Sequence, residues 1–139
     1  MIKFKFDGTN YNKYFSETLE GIEYIFHIYW NNSLLRREAS NAGWYMSIYD
    51  ARLFDINALA EGQDTALILG GVRIMPHTRL LTNGFVEGLP AGGVYCIDTE
   101  PEKGKKDDSY YVGVDNFGTG KRFELVYMTS QEILDNLGG

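Results

Sequence analysis

Cysteine is all but absent from this chain: Cys96 stands alone among 139 residues. It has no internal partner for a disulfide, which fits synthesis in a reducing cytosol. Histidine is nearly as scarce. His27 falls mid-strand and His77 follows a proline, and neither lies at metal-ligand spacing with another His or Cys. No window approaches the ~18 apolar residues of a membrane-spanning helix. The opening residues "MIKFKFDGTN" alternate charge with aliphatic and aromatic side chains and contain no apolar core of the signal-peptide type. Basic residues are outnumbered, 13 Lys and Arg against 19 Asp and Glu, for a net charge of −6. A free nucleic-acid binder needs a basic face to neutralise phosphates, so specific nucleic-acid binding is not expected.

What the chain has in quantity is aromatic residues and glycine: 10 Tyr, 8 Phe and 16 Gly. Aromatics favour strands and glycine favours tight turns. Period-two alternation recurs in short segments. In "IKFKF" (2–6), Ile2, Phe4 and Phe6 oppose Lys3 and Lys5. "YFSETLEG" (14–21) is extended and ends in a turn at Gly21. In "IEYIFHIYWN" (22–31), Tyr24, Phe26, Ile28 and Trp30 take one face; Glu23, Ile25, His27 and Tyr29 take the other. "NSLLRREASNAG" reads as a long hairpin loop, and Trp44–Asp50 as its return strand, which brings Trp30 and Trp44 to one end of the hairpin. "DINALAE" (55–61) allows one helical turn with Asp55 as cap. "ALILGGVRIM" (66–75) is a strand with a bulge or bend at its glycine pair, and Pro76 stops its ladder. "VYCID" (94–98), "YYVGVDNF" (110–117) and "RFELVYM" (122–128) supply three more strands. In the tail (129–139), Thr129 and Glu132 form a capping box for a short helix, with Gly138 as C-cap.

About eight short strands with polar turns predict an all-β fold, a small antiparallel barrel or a two-layer sandwich with a short C-terminal helix. The expected organisation is a single β domain over 1–139, with its core in 2–128 and a helical tail over 129–139.

The motifs that suggest chemistry fail on inspection. "GTGKR" (118–122) lacks the glycine a phosphate loop needs five residues before Gly120, where Asp115 stands, and has Arg122 where Ser or Thr should follow Lys121. It reads as a hairpin turn. The acidic run Asp98, Glu100, Glu102, Asp107 and Asp108 has Lys103 where a calcium loop has its glycine, with Lys105 and Lys106 following. It reads as a solvated loop. Cys96, between Tyr95 and Ile97, reads as a buried inert thiol. No catalytic residue, metal site or cofactor is assigned, and no enzyme activity is expected.

The unusual feature is a sheet face. In the strand "WYMSIYD", Trp44, Met46 and Ile48 point to one side, Tyr45, Ser47 and Tyr49 to the other. Tyr45 and Tyr49 share that outer face with Ile25, His27 and Tyr29. Such a face is either covered within the monomer, by a second sheet or the C-terminal helix, or held for a neighbouring subunit.

The order "FSETLEGIEY", "YWN" (29–31), "WYMSIYDA", "GVRIMPHTRLL" (71–81), "EGLPAGGVYCID" (87–98) and "ELVYM" (124–128) resembles the small phage baseplate plug proteins over about residues 2–128. Two departures stand out: the excursion from Arg52 to Thr65, where that family has a short turn, and the C-terminal helix. The resemblance implies a structural subunit of the virion tail baseplate, made in the host cytoplasm. It would lie near the tail axis where the central hub meets the tail tube, in several copies, helping to close the channel. Its partners would be the hub, tail tube or tube-initiating subunits. The candidate interface residues are Tyr45, Tyr49, His27 and Tyr29, with Arg36 and Arg37 from the hairpin loop. A rival reading is a small-molecule-binding β-barrel whose aromatics line an interior cavity. A hydrolase would need paired carboxylates or histidines converging in a cleft.

Overall fold

In a computed structural model, the described residues are 1–9, 11–31, 43–55, 65–76, 79–81, 87–104, 112–113 and 115–138. Among them the elements run β1 (Ile2–Lys3), β2 (Asn12–Leu19), β3 (Ile22–Asn31), β4 (Gly43–Asp50), β5 (Leu67–Arg73), β6 (Gly93–Asp98), a 3-10 turn (Pro101–Lys103), β7 (Phe123–Met128) and α1 (Ser130–Gly138). Two antiparallel sheets form, in the orders β2-β3-β4-β5 and β1-β7-β6. The fold is therefore the sandwich rather than the closed barrel.

The β2–β3 hairpin is set by its turn. Glu20 and Gly21 both have positive φ, 52° and 84°. Two such residues in a two-residue loop match the right-handed twist of the flanking strands. The strained Glu20 is put to use: its carboxylate accepts the Tyr127 hydroxyl, the Ser130 amide, and the Ser130 hydroxyl at 2.7 Å. It thereby ties the hairpin to the start of α1. The capping box forms as expected, with Glu132 N donating to Thr129 Oγ1 at 3.2 Å and Thr129 N to Glu132 Oε1 at 3.0 Å. Glu132 also meets the N-terminal amine at 2.6 Å.

In the β3–β4 ladder Trp30 lies opposite Trp44, as the hairpin reading requires. The β4–β5 register shifts between Met46 and Ile48, opposite the Gly70–Gly71 pair. Gly71 sits at φ +68°, and its amide donates to Ser47 Oγ at 3.2 Å. This is the bulge that the glycine pair predicts.

Between the sheets lies a filled aromatic core. Phe26, Ile28, Trp44, Met46 and Ile48 from the first sheet are fully buried. Phe6 meets the Trp44 ring edge-on at 5.4 Å, and Phe117 lies 5.4 Å from both. The Trp44 indole N–H donates to the Gly113 carbonyl at 2.8 Å, which satisfies its one polar atom in the dry interior. A ligand-binding barrel needs a closed sheet, and the two sheets here do not close on one another; the cleft described below opens at the surface.

Several expectations are corrected. The described part of "YYVGVDNF" is not a strand. Gly113 N takes Asn116 Oδ1 at 2.7 Å, and only a single bridge joins Phe117 to Phe123. A local side-chain bond has replaced the ladder. The first strand is shorter than 2–6, and Ile2 is 37% exposed, although Phe4 and Phe6 are buried as expected. Asp98 does not belong to a solvated loop. Arg122 Nε and Nη2 donate to its two carboxylate oxygens at 2.9 and 3.0 Å, and both side chains are only 3% exposed. Residues 55–61, read as a helical turn, lie outside the described residues beyond Asp55.

Candidate interface on the outer sheet face

The register decides which side chains share the outer face. Asn12, Tyr29 and Tyr45 form one cross-strand row; Tyr14, His27 and Ser47 form the next; Ser16, Ile25 and Tyr49 form a third. The second sheet packs on the opposite face of this sheet, so it does not cover these rows. The C-terminal helix is anchored instead at Glu20 and the N-terminus.

The result is a continuous ring cluster. Tyr14 stacks on His27 with centroids 4.0 Å apart, and His27 on Tyr29 at 4.7 Å. Tyr29 lies 5.9 Å from Tyr45. Phe54 folds back just after β4 and contacts both Tyr49, at 5.2 Å, and Tyr14, at 5.6 Å. Tyr29, Tyr45, Tyr49 and His27 are half-buried, and Ser47 beneath them is only 6% exposed. The face is neither wet nor fully enclosed.

Its electrostatics follow from that partial burial. Desolvation pushes the Tyr29 and Tyr49 hydroxyls above their ordinary pKa, with Tyr14 adding to the shift at Tyr49. Desolvation pulls the His27 imidazole below its ordinary value. His27 Nε2 lies in hydrogen-bond contact with Asn12 Oδ1. His27, Tyr29 and Tyr49 are thus neutral at neutral pH, offering aromatic area and hydroxyls, while the charged Glu23 and Arg73 share the face opposite Thr18 and Tyr45. Aromatic rings that also carry hydroxyls are what protein contact surfaces commonly offer. A cleft of about 370 Å³ opens beside it, lined by Tyr14, Phe15, Ser16, Ile25, Ala51 and Phe54.

Of the residues singled out from sequence, the structure brings together His27, Tyr29, Tyr45 and Tyr49. Arg36 and Arg37 lie outside the described residues, as does His77. Sequence reasoning missed Tyr14, Asn12 and Phe54. Strand parity was a usable signal for the first two: with Leu19 and Phe15 inward, Tyr14 and Asn12 must point outward. No signal marked Phe54. Cys96 is fully buried, and burial pushes its thiol up to about 12, far from a reactive thiolate. Among the described residues no group of three His, Cys, Asp or Glu side chains is arranged to hold a metal ion. None of the helices among them is long and apolar enough to cross a membrane.

No curated protein matches the chain. A family model does, along nearly its whole length, from residue 1 to residue 131, so that residues 132–139, most of α1 and the last residue, lie outside the match. The chain belongs to that family, described as cyanophage baseplate Pam3 plug gp18.

Proposed function

We propose that this chain is a non-enzymatic plug or adaptor in a phage tail baseplate, seated near the tail axis where the hub meets the tail tube. There it helps to close the channel, in several copies arranged around the axis. The observation that carries this reading is the family match over residues 1–131. Its neighbours are other tail proteins: the hub, the tube or the subunits that start the tube. The half-buried aromatic face is the contact surface, through Tyr29, Tyr45, Tyr49 and His27, with Arg36 and Arg37 on the adjoining loop. Tyr and Arg are the residue types that tend to carry interface energy. A net charge of −6 suits a channel that DNA must traverse without adhering.

The test is made on particles. Purified virions should contain the protein, and a label on it should appear at the baseplate end of the tail. Deletion of its gene should give tails that fail to complete or to retain DNA. A label on the capsid, or absence of the protein from purified tails, would refute the placement. Turnover of peptidoglycan or nucleotides by the pure protein would refute the non-enzymatic role.

A further inference from the structure

The strand β2 ends its sheet with an open edge. Its orientation is fixed by the Trp30 amide, which donates to Tyr11 O at 2.8 Å. Hydrogen-bonded pairs alternate along an antiparallel ladder, so Lys13, Phe15 and Glu17 turn their amides towards β3. The N–H and C=O groups of Tyr14, Ser16 and Thr18 point away from the sheet, and no described residue bonds them. The other three sheet edges are less available. β5 is bent by its bulge, β6 is met by bridges from Pro76 and Arg79, and β1 is two residues long.

Open edges invite indiscriminate pairing, and proteins guard them with charges that point inward. Here the guards are Lys13 and Glu17, on the inner face at either side of Phe15 and half-buried. They obstruct an arbitrary apolar strand. Their placement is nevertheless self-complementary. A second β2 laid antiparallel and centred on Phe15 brings each Lys13 opposite the Glu17 of the other copy, Phe15 opposite Phe15, and Tyr14 opposite Ser16. In that register the outward amides of Tyr14 and Ser16 meet as a hydrogen-bonded pair, so the backbone and the charges select the same alignment.

We propose that β2 is a two-fold docking edge, along which two copies of this chain pair antiparallel and join their first sheets into one. The charges that already face these side chains are Lys5 near Glu17 and Asp7 near Lys13. Despite Lys5, burial still raises the pKa of Glu17. The Lys13 of a second copy would add to the counter-charge that Lys5 alone gives Glu17 in the monomer. The inward charges thus act in both directions, excluding foreign strands and admitting the chain's own. The inference concerns the free chain and does not depend on its place in a particle.

Sedimentation velocity of the full chain over a concentration series tests it. The expected result is a concentration-dependent dimer. Lys13→Glu and Glu17→Lys, each of which sets like charges face to face, should weaken association by roughly tenfold or more. The Lys13→Glu/Glu17→Lys double variant should restore it. Thermal melts confirm that each variant is folded. Should either reversal unfold the chain, Ser16→Pro carries the test: its ring replaces an outward N–H, which an edge strand tolerates, and it should abolish the dimer. A chain that stays monomeric at every concentration overturns the proposal. So does a dimer indifferent to the charge reversals and to Ser16→Pro, or a folded double variant that stays monomeric.

Discussion

Tyr14 and His27 lie face to face on neighbouring strands, ring centroids 4.0 Å apart and planes 2° from parallel. The pair locates the face that sequence parity singles out, and it makes His27 a probe of that face. Cross-strand ring pairs each contribute ~0.2–1 kcal/mol, so the cluster stabilises the sheet even where it is open to a partner.

The first prediction follows from desolvation of the imidazole. His27 should titrate below the ordinary value of 6.5. The unfolded chain then takes up its proton first as pH falls. Stability from the neutral ring is present above pH 6.5 and declines as pH drops through the lower folded value. NMR titration of the His27 ring checks this; a midpoint at or above 6.5 would mean that the stack is open to water.

Asp98 and Arg122 carry the second prediction. Both side chains are 3% exposed, and the pair is bidentate. Removing one partner strands the other as an uncompensated buried charge, so Asp98→Ala should cost ~3–5 kcal/mol. Replacing both with well-packed apolar residues should cost much less. Urea unfolding of the two singles and the double closes the cycle. Additive losses would show that the two groups do not depend on each other.

Trp44 carries the third. Fully buried among Phe6, Trp30 and Phe117, it should cost ~3–5 kcal/mol when changed to Ala. Trp44→Phe keeps most of the ring contact but strands the Gly113 carbonyl, at ~1–3 kcal/mol. An unchanged urea midpoint for Trp44→Ala would mean that this strand face is not the core.

These cases mark what was legible in the sequence. Period-two alternation placed Phe26, Ile28, Trp44 and Met46 in the core because a half-buried strand has only two faces to offer. The turn at Gly21, the glycine bulge and the Thr129–Glu132 box were legible because each depends on residues close in sequence. Asp98 was not: inside "DTEPEKGKKDDS" it looks like one more solvated carboxylate, and its burial depends on Arg122, 24 residues on. "YYVGVDNF" alternates like a strand, but Asn116 and the Trp44 indole claim the Gly113 backbone. The aromatic face was half legible. Parity put Tyr45 and Tyr49 outward, whereas Phe54 arrives by a fold-back that no local pattern announces.

The last prediction concerns Tyr45 and Tyr49 themselves. The proposed contact surface needs both hydroxyl-bearing rings, and the fold needs neither as core. Both are half-buried, and their ring neighbours Tyr29, Tyr14 and Phe54 remain when they are removed. The Tyr45→Ser/Tyr49→Ser variant should therefore stay folded, with a loss of no more than ~2 kcal/mol from a few cross-strand contacts. Its incorporation into baseplates should fall, because truncating Tyr anchors at an interface commonly costs more than 1 kcal/mol each. The measurement pairs a thermal melt of the pure protein with quantitation of the variant in purified particles. A stable variant incorporated at the wild-type level would place the interface elsewhere on the molecule. A variant that unfolds would make the rings structural, with Phe54 and its neighbours forming a third layer over the sheet rather than the border of a docking face.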